Sequence, residues 1–199
     1  MNSFLKKTLI FTLVMVAVLA AGWFGRKAYK KTAEHRLVAD AGQYLEKRDF
    51  RNAGLCLQRA LQINPLSLPA SQLTGDMLEA VGAPAALSWR IRSAQLDPKD
   101  VQLRFAWAET ALKVGDLHSA DAALAGLDKE SKATAVFNKL AGALAWAAGS
   151  RAEAEKYYLV AAKLEPTNPA VRINLATIHL ASTNKDVANG GGRRWNKWP

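Results

Sequence analysis

Residues 138–166 read NKLAGALAWAAGSRAEAEKYYLVAAKLEP. Apolar and small residues follow helical spacing through LAGALAWAA, halt at Gly149-Ser150, and resume through AEAEKYYLVAAKL. Gly149-Ser150 is read as the end of one helix and the start of the next, with Ser150 as N-cap and Glu153 three residues on. Pro166 closes the second helix, because proline disfavours helical geometry in the residue before it. The stretch is predicted to be a helical hairpin.

Working outward, the same hairpin recurs. Small residues stand at Ala41, Gly75, Ala108, Gly142 and Ala176, with spacings of 34, 33, 34 and 34. Ala53, Ala86, Ala120, Ala154 and Ala188 form a second ladder, spaced 33, 34, 34 and 34. Gly82, Gly115 and Gly149 mark the turns; Pro65, Pro98 and Pro166 mark the ends, with Lys132 where a fourth proline would fall. In residues 41–65 the apolar positions Tyr44, Leu45, Phe50, Leu57, Ala60, Leu61 and Ile63 again follow a helix, broken by the charged turn Glu46-Lys47-Arg48-Asp49. Small residues on both helices allow close approach of the axes, and larger ones such as Tyr158 and Leu164 fill the space between pairs. One pair cannot bury its apolar face unaided, so the pairs are predicted to stack.

This pattern resembles the tetratricopeptide repeat. Ala41, Tyr44, Ala53, Ala60 and Pro65 match it in the first repeat, and Gly142, Gly149, Ala154, Tyr158, Ala161 and Pro166 in the fourth. The second repeat is one residue short, the third lacks its proline, and the early tryptophan is replaced by Leu37, Ser71, Arg104, Asn138 and Arg172. The resemblance implies an all-α fold: a right-handed α-solenoid of antiparallel helix pairs, about 4.5 repeats over residues 34–188. Pro169 begins the first helix of the fifth repeat, and Ala188 keeps the register of a second. Gly190–Gly192 then break it, since each glycine costs about 1 kcal/mol in a helix. Residues 189–199 are expected to be a flexible basic and aromatic tail or the cut end of a longer array.

The 199 residues carry a net charge of +10, unevenly spread. Residues 1–36 hold +6, residues 184–199 hold +3, and the 147 between them hold +1. A nucleic-acid-binding domain carries its basic face on the domain, so nucleic acid is not an expected partner. After a short tail (1–7), residues 8–25 give 18 uncharged residues, TLIFTLVMVAVLAAGWFG. As a helix they span ~27 Å, close to the hydrocarbon thickness of a bilayer. Trp23 and Phe24 sit at the end, where aromatic rings favour the interface. Residues 26–33 form a basic linker, and the span is read as a single-pass anchor in the inner or plasma membrane. The alternative is an exported soluble protein cleaved near Val18-Leu19-Ala20, a poor match to the small-x-small site. Five cations follow the span within about 15 residues against about three charges before it, which favours a cytoplasmic solenoid over a periplasmic one.

No catalytic constellation is visible. His35, His118 and His179 lie in different repeats without an i, i+4 partner, so no metal ligand pair forms, and no cofactor or small-molecule substrate is expected. The single cysteine, Cys56, is read as a packing residue, and Trp107 and Trp146 as packing rather than a base-stacking platform. The resemblance implies that the first helices line a concave groove, here Gln72, Asp76, Glu79, Phe105, Glu109, Lys139, Trp146, Ile173 and Thr177. Apolar anchors among carboxylates and a lysine suit an extended or helical peptide with some basic character. The asparagines that chaperone-tail-binding relatives use are replaced by Gly42, Asp76, Glu109, Ala143 and Thr177. The expected function is a membrane-anchored scaffold for partner proteins in bacterial envelope assembly, not an enzyme. Membrane-surface or nucleic-acid binding through the basic ends is the other class of reading.

Overall fold

The computed structural model describes residues 29–194 together with Met15 and Arg26, with side chains as far as Ala181. Residues 1–7, the expected membrane span 8–25 (Met15 aside) and residues 195–199 of the expected tail lie outside the described residues. Among the described residues no helix is long and apolar enough to cross a membrane, and there is no strand.

Helix α1 covers residues 29–46 and is followed by α2 (Phe50–Ile63), α3 (Leu68–Ala80), α4 (Ala86–Leu96) and α5 (Val101–Val114). Then come α6 (Leu117–Ala125), the single turn α7 (Lys129–Lys132), α8 (Ala135–Ala147), α9 (Arg151–Leu164) and α10 (Pro169–Arg194). The starts are chemically marked. Asp49, Ser67, Asp100, Asp116, Asp128 and Thr134 each accept a hydrogen bond from a backbone N–H of the first turn, satisfying donors with no partner inside the helix. Ser150 holds the N-cap position of α9 but makes no such bond, contrary to the sequence expectation. The turns are marked too: Gly82, Gly115 and Gly149 have φ of 68°, 78° and 81°. Arg48 takes the same register position with φ 57°, a left-handed conformation that a side chain makes costly.

Two compact units, Met1–Trp89 and Arg90–Pro199, divide the chain. The division falls inside α4, in the repeat that is one residue short. In the first unit α2 packs on α3, and Ala41, Leu57, Ala60 and Ala70 form the core with Leu37, Val38, Leu61 and Met77 against them. In the second unit α8 packs on α5, α6, α7 and α9, and α9 packs on α10. One cluster joins Phe105, Ala108, Leu124, Leu127 and Phe137; another joins Ala154, Tyr158, Ala161, Val171 and Ile178.

Small-against-large pairing recurs in three of the hairpins. Ala41 shares a core with Leu57 and Ala108 with Leu124, whereas Gly142 faces the ring of Tyr158. A Cβ at Gly142 would lie 3.0 Å from Tyr158 Cε2. The larger partner is met by the smaller residue.

Two stretches depart from the regular register. Helix α6 has nine residues, against 14 in α2 and α9. Its early end is closed by side chains: Arg104 donates to the carbonyls of Ala122 and Ala123, and Lys132 to that of Ala125. Lys132 thus ends an added turn where other repeats have proline. The second departure corrects the expected tail. Helix α10 runs unbroken through Ala188 and Gly190–Gly192 to Arg194, so residues 189–194 are helical and no second helix begins at Ala188. Residues 182–187 (STNKDV) contain no glycine or proline to stop the helix, and glycine weakens a helix without forbidding it. Ala176, the ladder residue of α10, is consequently exposed, while Ala41 and Ala108 are fully buried.

Candidate functional site

The structure separates the predicted groove residues into three kinds. Phe105 does not line a surface: it is 5% exposed and packs with Leu124, Leu127 and Phe137. Leu127 comes from the added turn after the shortened α6, which is why this position is core here and open at Lys139 and Ile173. Charged residues are the second kind, and they are held. Glu109 pairs with Lys113 one turn along α5 at 3.0 Å. Lys139 pairs with Glu165 at 2.8 Å, and Asn168 donates to the same carboxylate oxygen at 2.6 Å. These bonds hold the Glu165 carboxyl below the usual range. In the first unit Gln72 and Glu79 are half-buried and Asp76 is exposed on α3.

The third kind is exposed and apolar. Trp146 on α8 is 36% exposed, and the Arg151 guanidinium lies 5.8 Å from its ring centroid. Arg151 also donates to the Ala181 carbonyl at 3.1 Å, tying the start of α9 to α10. Ile173 on α10 is 64% exposed, and Thr177 is exposed one turn on, its hydroxyl donating to the Ile173 carbonyl. Leu180, not among the predicted groove residues, is 68% exposed. The repeat register could have found it: Leu180 stands 34 positions after Trp146, as Ile173 does after Lys139. The second unit therefore presents Trp146, Ile173 and Leu180 from first helices, with Lys139 at the register position of Ile173 and Glu109 at that of Thr177.

The remaining candidates settle into structural roles. Trp107 donates its indole N–H to Ser119 Oγ at 2.7 Å, joining α5 to α6. Asn138 is buried and donates to the carbonyls of Lys132 and Thr134, so one position that carries tryptophan in the resembled family is used here for hydrogen bonding. Cys56 is half-buried against the first core, and burial pushes its thiol up, away from thiolate chemistry. His179 contacts Glu155 of α9 at 2.9 Å. Among the described residues no group of three or more His, Cys, Asp or Glu converges as a metal site. A cleft of about 430 Å³ opens over α8 between α6 and α9, floored by Leu124, Phe137, Leu144 and Tyr157 and edged by Asp121 and Glu153. It lies beside the short α6, and the only sequence trace of it is the missing proline at Lys132.

No model of a protein family matches the sequence, and no curated protein is similar to it. Solved structures are similar in fold. PilF of Pseudomonas aeruginosa is 16% identical, over 78% of this chain and 71% of that one, with a TM-score of 0.63. MamA is 14% identical, over 79% of this chain and 87% of that one, with a TM-score of 0.67. A MamA RS-1 double mutant, also 14% identical, gives 0.68 over 83% and 92%. PilF and MamA are tetratricopeptide-repeat proteins. The chain has a tetratricopeptide-like, all-helical fold, in accord with the register of its alanines and turn glycines.

Proposed function

We propose that the chain is a membrane-anchored scaffold that holds a partner polypeptide against its first helices. The observation that carries this reading is the exposure of Trp146, Ile173 and Leu180 on α8 and α10, with Lys139 and Glu109 at neighbouring register positions. Exposed apolar side chains rimmed by fixed charges suit recognition of a segment that is apolar with some basic character. Tetratricopeptide-like folds are interaction scaffolds, which favours binding over catalysis. Anchoring rests on the uncharged run 8–25, and the cations after it favour a cytoplasmic solenoid. The setting we infer is a bacterial envelope, and a role in its assembly fits an anchored adaptor.

The test uses the full chain released from membranes in mild detergent. Trp146→Ala and Glu109→Lys are each expected to weaken partner pull-down with an unchanged helical circular-dichroism spectrum. Undiminished capture by both variants would refute the groove. A reporter fused to the C-terminus gives the side of the membrane: activity of a periplasm-requiring reporter would overturn the cytoplasmic assignment.

A further inference from the structure

At one end of the first hairpin, where α1 begins and α2 ends, an open cleft of about 620 Å³ carries cations on an apolar floor. Lys30 and Arg36 come from α1 and Arg59 from α2; Ala33, Leu37 and Ile63 form the floor. No carboxylate lines it. Glu34, on α1, accepts a hydrogen bond from the Asn64 side chain at 3.0 Å and so braces the two helices, and Asp40 stands one turn along α1 from Arg36. The three cations are exposed, and none makes an ion pair among the described residues. Two large apolar groups stand free at the same end: Tyr29 is 75% exposed, and Leu66, two residues on from the bracing Asn64, is 70% exposed. Such residues are costly in water and favourable at a lipid headgroup boundary, where an aromatic ring with a polar tip partitions well.

We infer that this hairpin end rests on the bilayer and that Lys30, Arg36 and Arg59 bind the phosphate of an anionic phospholipid. Charge selects the ligand: three cations with no lining carboxylate favour a phosphodiester over a zwitterionic headgroup. Tyr29 and Leu66 select the lipid source over free phosphate, since they supply an apolar boundary that a soluble anion does not use. The site begins four residues after the uncharged run 8–25, so the inference rests on the anchoring proposed above. It adds a specific contact, because Arg59 lies on a different helix, far along the chain from the basic linker. The anchored chain would then hold its first hairpin flat on the membrane rather than swing on a tether.

The experiment measures lipid retained by the detergent-solubilised full chain in native mass spectrometry, with phosphatidylglycerol or phosphatidylcholine added in equal amounts. The unaltered chain is expected to keep phosphatidylglycerol in preference. Arg59→Gln and Arg36→Gln are each expected to lower that preference about five-fold, since each basic group near an anionic surface contributes about 1 kcal/mol. Arg172→Gln, an exposed cation on α10, is expected to leave it unchanged. Equal retention of the two lipids, or an Arg59→Gln chain with undiminished preference, would overturn the assignment. Loss of the adduct in excess inorganic phosphate would assign the cleft to free phosphate instead. Extraction of the full chain from membranes by alkaline carbonate would overturn the anchoring alone, while the lipid ratio still decides the cleft.

Discussion

Replacing Gly142 by alanine sets two effects of opposite sign against each other. Alanine is better than glycine inside a helix by about 1 kcal/mol. The added Cβ, however, would meet Cε2, Cδ2 and Cζ of Tyr158 at 3.0, 3.1 and 3.1 Å, closer than carbon atoms normally pack. The ring is 4% exposed, so it can give way only by pressing on its packed neighbours or by moving with α9 away from α8. Overpacking of this kind costs about 1–3 kcal/mol, so the net effect is a destabilisation of about 1 kcal/mol. A Tyr158→Leu background reverses the sign. It recreates the Ala41–Leu57 and Ala108–Leu124 pairings, where alanine is fully buried beside leucine. There Gly142→Ala keeps only the propensity gain and stabilises by about 1 kcal/mol, a coupling of about 2 kcal/mol between the two sites. Stacked repeats need not unfold in one step, so the assay is native-state hydrogen exchange of the α8 and α9 amides in all four chains. An effect of the same sign and size in both backgrounds would refute the claim that this glycine exists to admit the tyrosine.

Three further outcomes follow from local features. Arg48→Gly relieves a left-handed residue at φ 57° and is expected to raise stability by about 1 kcal/mol in urea unfolding; a loss would show that the Arg48 side chain matters more than its backbone. Ser71 is fully buried, and its Oγ finds no partner, so Ser71→Ala is expected to be neutral or stabilising by up to about 1 kcal/mol in thermal melts. The Glu165 carboxyl is held low by Lys139 and then Asn168, so its contribution is full above the ordinary glutamate value of about 4.3 and is lost as pH falls through the lowered folded value. Glu165→Gln is therefore expected to flatten the acid limb of a stability-against-pH curve, and an unchanged limb would contradict the pairing.

What could be read in the sequence and what could not divide along physical lines. The alanine and glycine ladders were legible because close helix approach and left-handed turns restrict residue type whatever the partner. Gly115 and Gly149 adopt positive φ, and Ala53, Ala120 and Ala154 are fully buried, as the register requires. Arg48 shows the limit, since the hairpin tolerates a strained residue where glycine was absent. Phe105 was misread because its register position is shared with Lys139 and Ile173, yet burial depends on Leu127, which arrives through a turn that no repeat pattern announces. Side-chain contacts such as the Lys139–Glu165 pair and the Arg151 guanidinium over Trp146 depend on side-chain direction and left no periodic trace. The α10 helix outran its expected end because glycine lowers helix stability locally without forbidding the helix.

Site-resolved photo-crosslinking is the most direct measurement of whether the first helices hold a partner. A photoreactive phenylalanine derivative would replace Trp146, Ile173 or Leu180 on α8 and α10, or Leu159 or Val160, which are exposed on α9. Adducts to one polypeptide are expected from the first three positions and not from the last two, and Glu109→Lys should diminish them. Adducts of equal yield from Leu159 and Val160, or from those alone, would contradict the account.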